Sequence, residues 1–93
     1  MSLKQKITES LPENRQGVEV FIFGSVLDSE SPRDIDIAII YDKSKISLKD
    51  IVKYRQELRD SIGQFFEKTD ILALSKDEDE ELEFIQNTKT EKL

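Results

Sequence analysis

Apolar residues in this chain fall into three short dense runs and three spaced series, and the difference separates strands from helices. Residues 18–23 (Val18-Glu19-Val20-Phe21-Ile22-Phe23), 34–41 and 69–74 (Thr69-Asp70-Ile71-Leu72-Ala73-Leu74) are rich in β-branched or aromatic side chains and are short, which predicts three strands. Leu3, Ile7 and Leu11 recur at i, i+4, i+8 and predict a short amphipathic helix that ends at Pro12, followed by a polar turn over 13–17. Ser47-Leu48-Lys49-Asp50 forms a capping box with a carboxylate at N3, and Ile46 and Ile51 sit where a hydrophobic staple would place them. Leu48, Ile51, Val52, Arg55, Leu58, Ile62, Phe65 and Phe66 then keep the 3.6 period and predict a long helix up to about Glu67. A second capping box, Ser75-Lys76-Asp77-Glu78, opens a last helix carrying Leu82, Phe84 and Ile85, and the tail from about Asn87 is expected to fray.

The predicted order is αβ(loop)βαβα in one domain over 1–93, an α+β (mixed α/β) class. Strand two, the long helix and strand three make a βαβ unit, so these strands should be parallel with a right-handed crossover. Asp34, Asp36 and Asp70 then lie at strand beginnings on one edge of the sheet. For Gly24-Ser25, at the end of strand one, to reach that edge, strand one must run antiparallel to strand two. A three-stranded mixed sheet of order 1-2-3 with helices on one face is expected.

This geometry changes how the polar residues read. Asp34 and Asp36, spaced i, i+2 on a strand, project from the same face and can converge on one cation or a pair. Gly24-Ser25 ends a buried strand, where backbone N–H groups and a hydroxyl are free to hold an anion. The chain has no histidine and no cysteine, so chemistry must rest on carboxylates, hydroxyls and backbone. Oxygen ligands select hard cations, Mg²⁺ or Mn²⁺. With 14 basic against 20 acidic residues, a net charge of −6, the chain is not suited to an extended nucleic-acid surface. No apolar stretch reaches membrane-spanning length and no signal-peptide core is present, which makes the cytoplasm the expected location.

Phe23-Gly24-Ser25, then Asp34-Ile35-Asp36-Ile37-Ala38-Ile39, then Thr69-Asp70-Ile71 resembles the DNA polymerase β-like nucleotidyltransferases, in particular the small stand-alone group called minimal nucleotidyltransferases. The resemblance runs from Val18 to Leu74 in the family's order. It implies the nucleotidyltransferase fold. It also implies that Gly24 and Ser25 bind the β- and γ-phosphates of a nucleoside triphosphate, that Asp34 and Asp36 hold two Mg²⁺ ions, and that Asp70 joins them on the catalytic metal. The implied reaction moves an NMP, most simply AMP from ATP, to a hydroxyl of a protein or small molecule. Small members lack the domain that completes the acceptor pocket in larger relatives, so a partner is expected: a second copy of the chain, or a helical HEPN protein with which such proteins form a toxin and antitoxin pair. The chain departs from the pattern between Ser25 and Asp34. The gap, Val26 to Arg33, is shorter than is usual and lacks the customary Arg and Gly after the serine.

Each element also has a plainer reading. Gly-Ser after a strand is by itself a turn, and Asp-x-Asp at a strand start is often a solvated edge. Arg33 beside the aspartate pair reads as an exposed loop arginine, and Asp28 and Glu30 add negative charge that hinders triphosphate binding. The acidic run Asp77-Glu78-Asp79-Glu80-Glu81 reads as charge matching at a helix N-terminus. Phe65, Phe66 and Phe84 read as core or partner-contact residues. Beside the enzyme stands an alternative, a catalytically weak or inactive module of the same fold that masks a basic partner with its acidic surface. A Mg²⁺ phosphatase or receiver domain is disfavoured, because no phosphate-accepting aspartate with its downstream Thr or Lys is evident.

Overall fold

The computed structural model describes residues 3–12, 16–27, 34–66 and 68–93. Asp28, Glu30 and Arg33 of the loop, part of the turn at 13–17, and Glu67 lie outside the described residues. The elements are α1 (Leu3–Glu9), β1 (Val18–Phe23), a 3-10 turn (Gly24–Leu27), β2 (Asp34–Tyr41), α2 (Leu48–Ile62), β3 (Lys68–Ser75), α3 (Lys76–Leu82), α4 (Phe84–Asn87) and β4 (Thr90–Lys92). The expected strands therefore form where the β-branched runs are.

The sheet has four strands in the order β3-β2-β1-β4. β2 and β3 pair in parallel, and β1 runs antiparallel to β2, as the position of the Gly-Ser corner requires. The fourth strand corrects two expectations, a three-stranded sheet and a frayed tail. Thr90, Glu91 and Lys92 pair antiparallel with Phe23, Ile22 and Phe21, and Leu93 N–H donates to Val20 C=O at 2.9 Å. Exposed ion pairs, Lys4–Glu91 at 2.7 Å and Lys92–Glu19 at 3.4 Å, flank this strand. A three-residue, mostly charged edge strand carries no alternating apolar signal, so its existence follows from the neighbour it pairs with.

Alternation along β2 divides the core. Ile35, Ile37, Ile39 and Tyr41 face Ile7 of α1 and Ile51, Tyr54, Leu58 and Ile62 of α2, joined by Val20, Ile22 and Ile71. The opposite face is covered in part by α3 and α4: Phe84 meets Phe23 edge-to-face at a centroid distance of 5.3 Å, and Ile85 and Lys76 line a pocket with Phe21 and Ile40. Helices thus lie on both faces, and the one-face expectation holds only for α1 and α2. Among the described residues no helix is long and apolar enough to cross a membrane.

Helix α2 starts where the sequence predicts, with the serine half of the box in place: Ser47 Oγ accepts from Asp50 N–H at 3.2 Å. It ends at Ile62, earlier than the period predicts: Gly63, a poor helix former, still donates its N–H to Arg59 C=O, and Phe65 N–H then bonds Ile62 C=O in a tighter turn. Phe66 still reaches the core from the following turn, while Phe65 stays exposed. The buried face is also rotated from the one expected. Tyr54 is buried, whereas Leu48 and Val52 are 66% and 61% exposed. The last helix is split in two at Glu83, whose φ of 53° and ψ of 37° are left-handed.

Candidate active site

The site is built at the edge of the sheet where β1 ends and β2 and β3 begin. Phe23, the last residue of β1, is paired with Asp36 of β2, so the chain turns at Gly24 directly beside that aspartate. Gly24 has a φ of +78°, a conformation open to glycine and strained for other residues, and a Cβ there would collide with Oδ2 of Asp36. The half-buried carboxylate of Asp36 therefore lies over the bare Cα of Gly24. The absence of a side chain at 24 is what admits it.

Asp36 is in register with Asp70 of β3, and Asp34 with Lys68. Neighbouring strands stand about 4.8 Å apart, and Ile35, Ile37 and Ile71 take the core side, so Asp36 and Asp70 share the opposite face as close neighbours. Asp34 lies two residues earlier on the same face of β2 by strand alternation, and Asp70 is exposed. Ser25 follows Gly24 in the 3-10 turn. The side chains of Asp34 and Ser25 lie outside what the structure describes, and among the described residues no group of three acids stands close enough to hold a cation. The structure thus unites Gly24, Asp36 and Asp70, and sets Ser25 and Asp34 beside them by their main chain.

Lys68 is the residue that sequence reasoning passed over. The register sets it opposite Asp34, two residues before Asp70, and it is exposed. Its signal is its place two residues before Asp70, which gains meaning only with the strand pairing.

The surrounding structure supports the corner. Phe84 of α4 packs on Phe23, and Thr90 of β4 pairs with Phe23. Ser75, fully buried, ends β3 and caps α3 through a reciprocal box: Ser75 N–H donates to Glu78 Oε1 at 3.0 Å and Glu78 N–H to Ser75 Oγ at 3.2 Å. The backbone N–H of Ser75, followed by its hydroxyl, holds the Glu78 carboxyl below the ordinary glutamate range, and the Ser44 hydroxyl and N–H do the same for Asp42. Both acids are structural. The acidic run of α3 serves here as helix-start charge, as its position predicts. A cavity of about 430 Å³ lies at the other end of β1, lined by Leu11, Val18, Tyr54 and Leu93, and is no part of this edge.

An oxygen-only set of carboxylates on one sheet edge, next to a glycine corner whose N–H groups are free of a side chain, suits hard cations and phosphate together. No curated protein and no solved structure is similar enough to the chain to match it. The family model described as Polymerase beta, Nucleotidyltransferase matches residues 5–92, and with nearly its whole length so matched the chain belongs to the polymerase β nucleotidyltransferase family.

Proposed function

We propose that this nucleotidyltransferase is a Mg²⁺-dependent enzyme of the cytoplasm that moves an NMP, most simply AMP from ATP, to a hydroxyl of a protein or small molecule. The observation that carries the reading is the contact of Asp36 Oδ2 with the Cα of Gly24, which joins a metal-type ligand to a phosphate-type corner. Asp34, Asp36 and Asp70 would hold the two metal ions, Mg²⁺ or Mn²⁺. When bound, the ions supply a lowered pKa for the acceptor hydroxyl and offset charge on the leaving pyrophosphate. Gly24 and Ser25 bind the β- and γ-phosphates through main-chain N–H groups and the hydroxyl. Asp70, open to solvent, is the carboxylate that takes the proton of the incoming hydroxyl. Lys68 adds positive charge in place of the Arg that customarily follows the serine and orients the triphosphate against the acids. As the family resemblance implies, a second copy or a HEPN-type helical protein completes the acceptor pocket, in the latter case with this chain as the antitoxin.

The test is label transfer. The purified chain, each labelled NTP, Mg²⁺ and any co-purifying protein are incubated and compared with Asp34→Asn and Asp36→Asn. Transfer by the native chain that both substitutions abolish is the expected result, and transfer that survives both would exclude the mechanism.

A second reading, an inactive module of the same fold that masks a basic partner, is favoured by the altered sequence after Ser25. No transfer by the native chain with any nucleotide or partner would favour it.

A further inference from the structure

Resting on the reading of the Gly24 corner as a nucleotide site, we infer that Phe84 is its nucleobase contact, a stacking face for the base of a bound nucleoside triphosphate. Phe23 and Asp36 are register partners on neighbouring strands, so their side chains leave the sheet on the same face, about 5 Å apart at Cβ. Phe84 stands on Phe23, edge to face with 5.3 Å between centroids, and so reaches that face one strand step from the carboxylate. Both rings are half-buried, and neither packs into the core beneath the sheet.

The chain holds this ring against local strain. Glu83, the residue before it, has a φ of 53° and a ψ of 37°, a left-handed conformation unfavourable to glutamate. That turn breaks the last helix and brings Phe84 back onto β1. Ile85 N–H donates to Asp79 Oδ1 at 2.9 Å, and Asn87 N–H to Glu83 C=O at 3.0 Å, which fixes the turn from both sides. Strained residues that their surroundings keep in place cluster at ligand clamps and active sites.

Charge decides what the ring holds. A triphosphate at Gly24 lies against Asp36 and Asp70 on a chain of net charge −6, and the segment after Ser25 lacks the customary Arg. An uncharged aromatic face adds affinity without entering that balance, and every base has a π-face to offer it. A purine covers more of the ring than a pyrimidine does, while stacking alone does not read the amino and carbonyl groups at the base edge. ATP and GTP should therefore bind alike, and both more tightly than CTP.

The probes are ATP, GTP, CTP and ribose 5′-triphosphate, which keeps the sugar and the phosphates without a base. Each is titrated into the native chain with Mg²⁺ and followed by calorimetry. ATP should bind about tenfold tighter than ribose 5′-triphosphate. Phe84→Leu, which keeps an apolar side chain on Phe23, should bring ATP down to the affinity of ribose 5′-triphosphate and leave the latter unchanged, and Phe84→Tyr should retain the native preference. The sequence has no tryptophan, so Phe84→Trp supplies a single reporter whose emission ATP should quench and ribose 5′-triphosphate should not. Equal binding of ATP and ribose 5′-triphosphate by the native chain, an ATP preference that survives Phe84→Leu, or a loss of both ligands together in that variant would each overturn the assignment while the nucleotide site stands. Binding of neither ligand by the native chain would overturn the nucleotide site as well.

Discussion

Replacing Gly24 by alanine tests the corner of the site most directly. The added Cβ meets Oδ2 of Asp36, and the residue must also hold a φ of +78°, where an L side chain is strained by about 1–2 kcal/mol. On a domain of this size that strain lowers Tm by roughly 5–15 °C. To restore ordinary van der Waals contact the carboxylate must retreat by about 1 Å, and a misplacement of that size lowers a transfer rate by about 10²-fold. Stability and rate are separated with Ile37→Val on the same strand, a fully buried position where deleting one methylene costs about 0.5–1.5 kcal/mol without touching the carboxylates. The two variants are compared by urea unfolding, by label transfer below their melting range, and by the rise in Tm with Mg²⁺ and ATP. Ile37→Val should keep the native transfer rate and ligand shift, while Gly24→Ala loses both. A Gly24→Ala variant that unfolds more easily yet transfers within about threefold of the native rate would refute the argument that Gly24 exists to seat Asp36.

Other outcomes follow from features elsewhere. Lys68→Met should raise the KM for the nucleotide about tenfold with little change in unfolding midpoint, and an unchanged KM at low salt would remove Lys68 from the phosphate site. Glu83→Gly should stabilise the chain by about 1 kcal/mol in urea unfolding, because glycine takes the left-handed φ of 53° without strain. The capped Glu78 has a folded pKa below the ordinary glutamate value of 4.5, so its contribution is fully present above that value and is lost as pH falls from there through the folded pKa. The stability difference between the native chain and Glu78→Leu should therefore shrink from pH 6 to pH 3, and a constant difference would show that the charge is not what caps α3. Thr69 Oγ1 is buried without a hydrogen-bond partner among the described residues, so Thr69→Val should raise the urea midpoint by an amount equivalent to about 1 kcal/mol.

What the sequence made legible divides by how local the determining physics is. The three strands are runs of β-branched residues, and Ser47 and Ser75 announce helices through side chains that bond a backbone group three residues on, so a short window contains the information. The mixed sheet followed from one more step, the need to bring Gly24-Ser25 and the aspartates to a common edge. The rest depends on distant contacts. Periodicity gave a helical face that included Leu48 and Val52, but the side of α2 packed into the core carries Tyr54 with Ile51, Leu58 and Ile62, and Leu48 and Val52 lie off it. Glu83 breaks the last helix without a glycine to announce it, and β4 exists because β1 offers a free edge to a charged segment. At the candidate site, the adjacency of Gly24, Asp36 and Asp70 follows from strand order and register, whereas Lys68 becomes visible only when Asp34 is found opposite it.

The pairing of β1 with β4 joins residues near opposite ends of the chain through three residues of strand, two of them exposed. Closing so long a loop for so few contacts makes β4 the element that opens at the lowest free energy, well before the β1–β2 ladder parts. Phe21 to Phe23 thus belong to two cooperative units, held firmly from β2 and loosely from β4. In hydrogen exchange, the amides of β1 that point to β4 should exchange sooner than those that point to β2, along one and the same strand. The corner at Gly24 is therefore a place where local opening begins, and its breathing is governed by a segment that contributes no side chain to the chemistry.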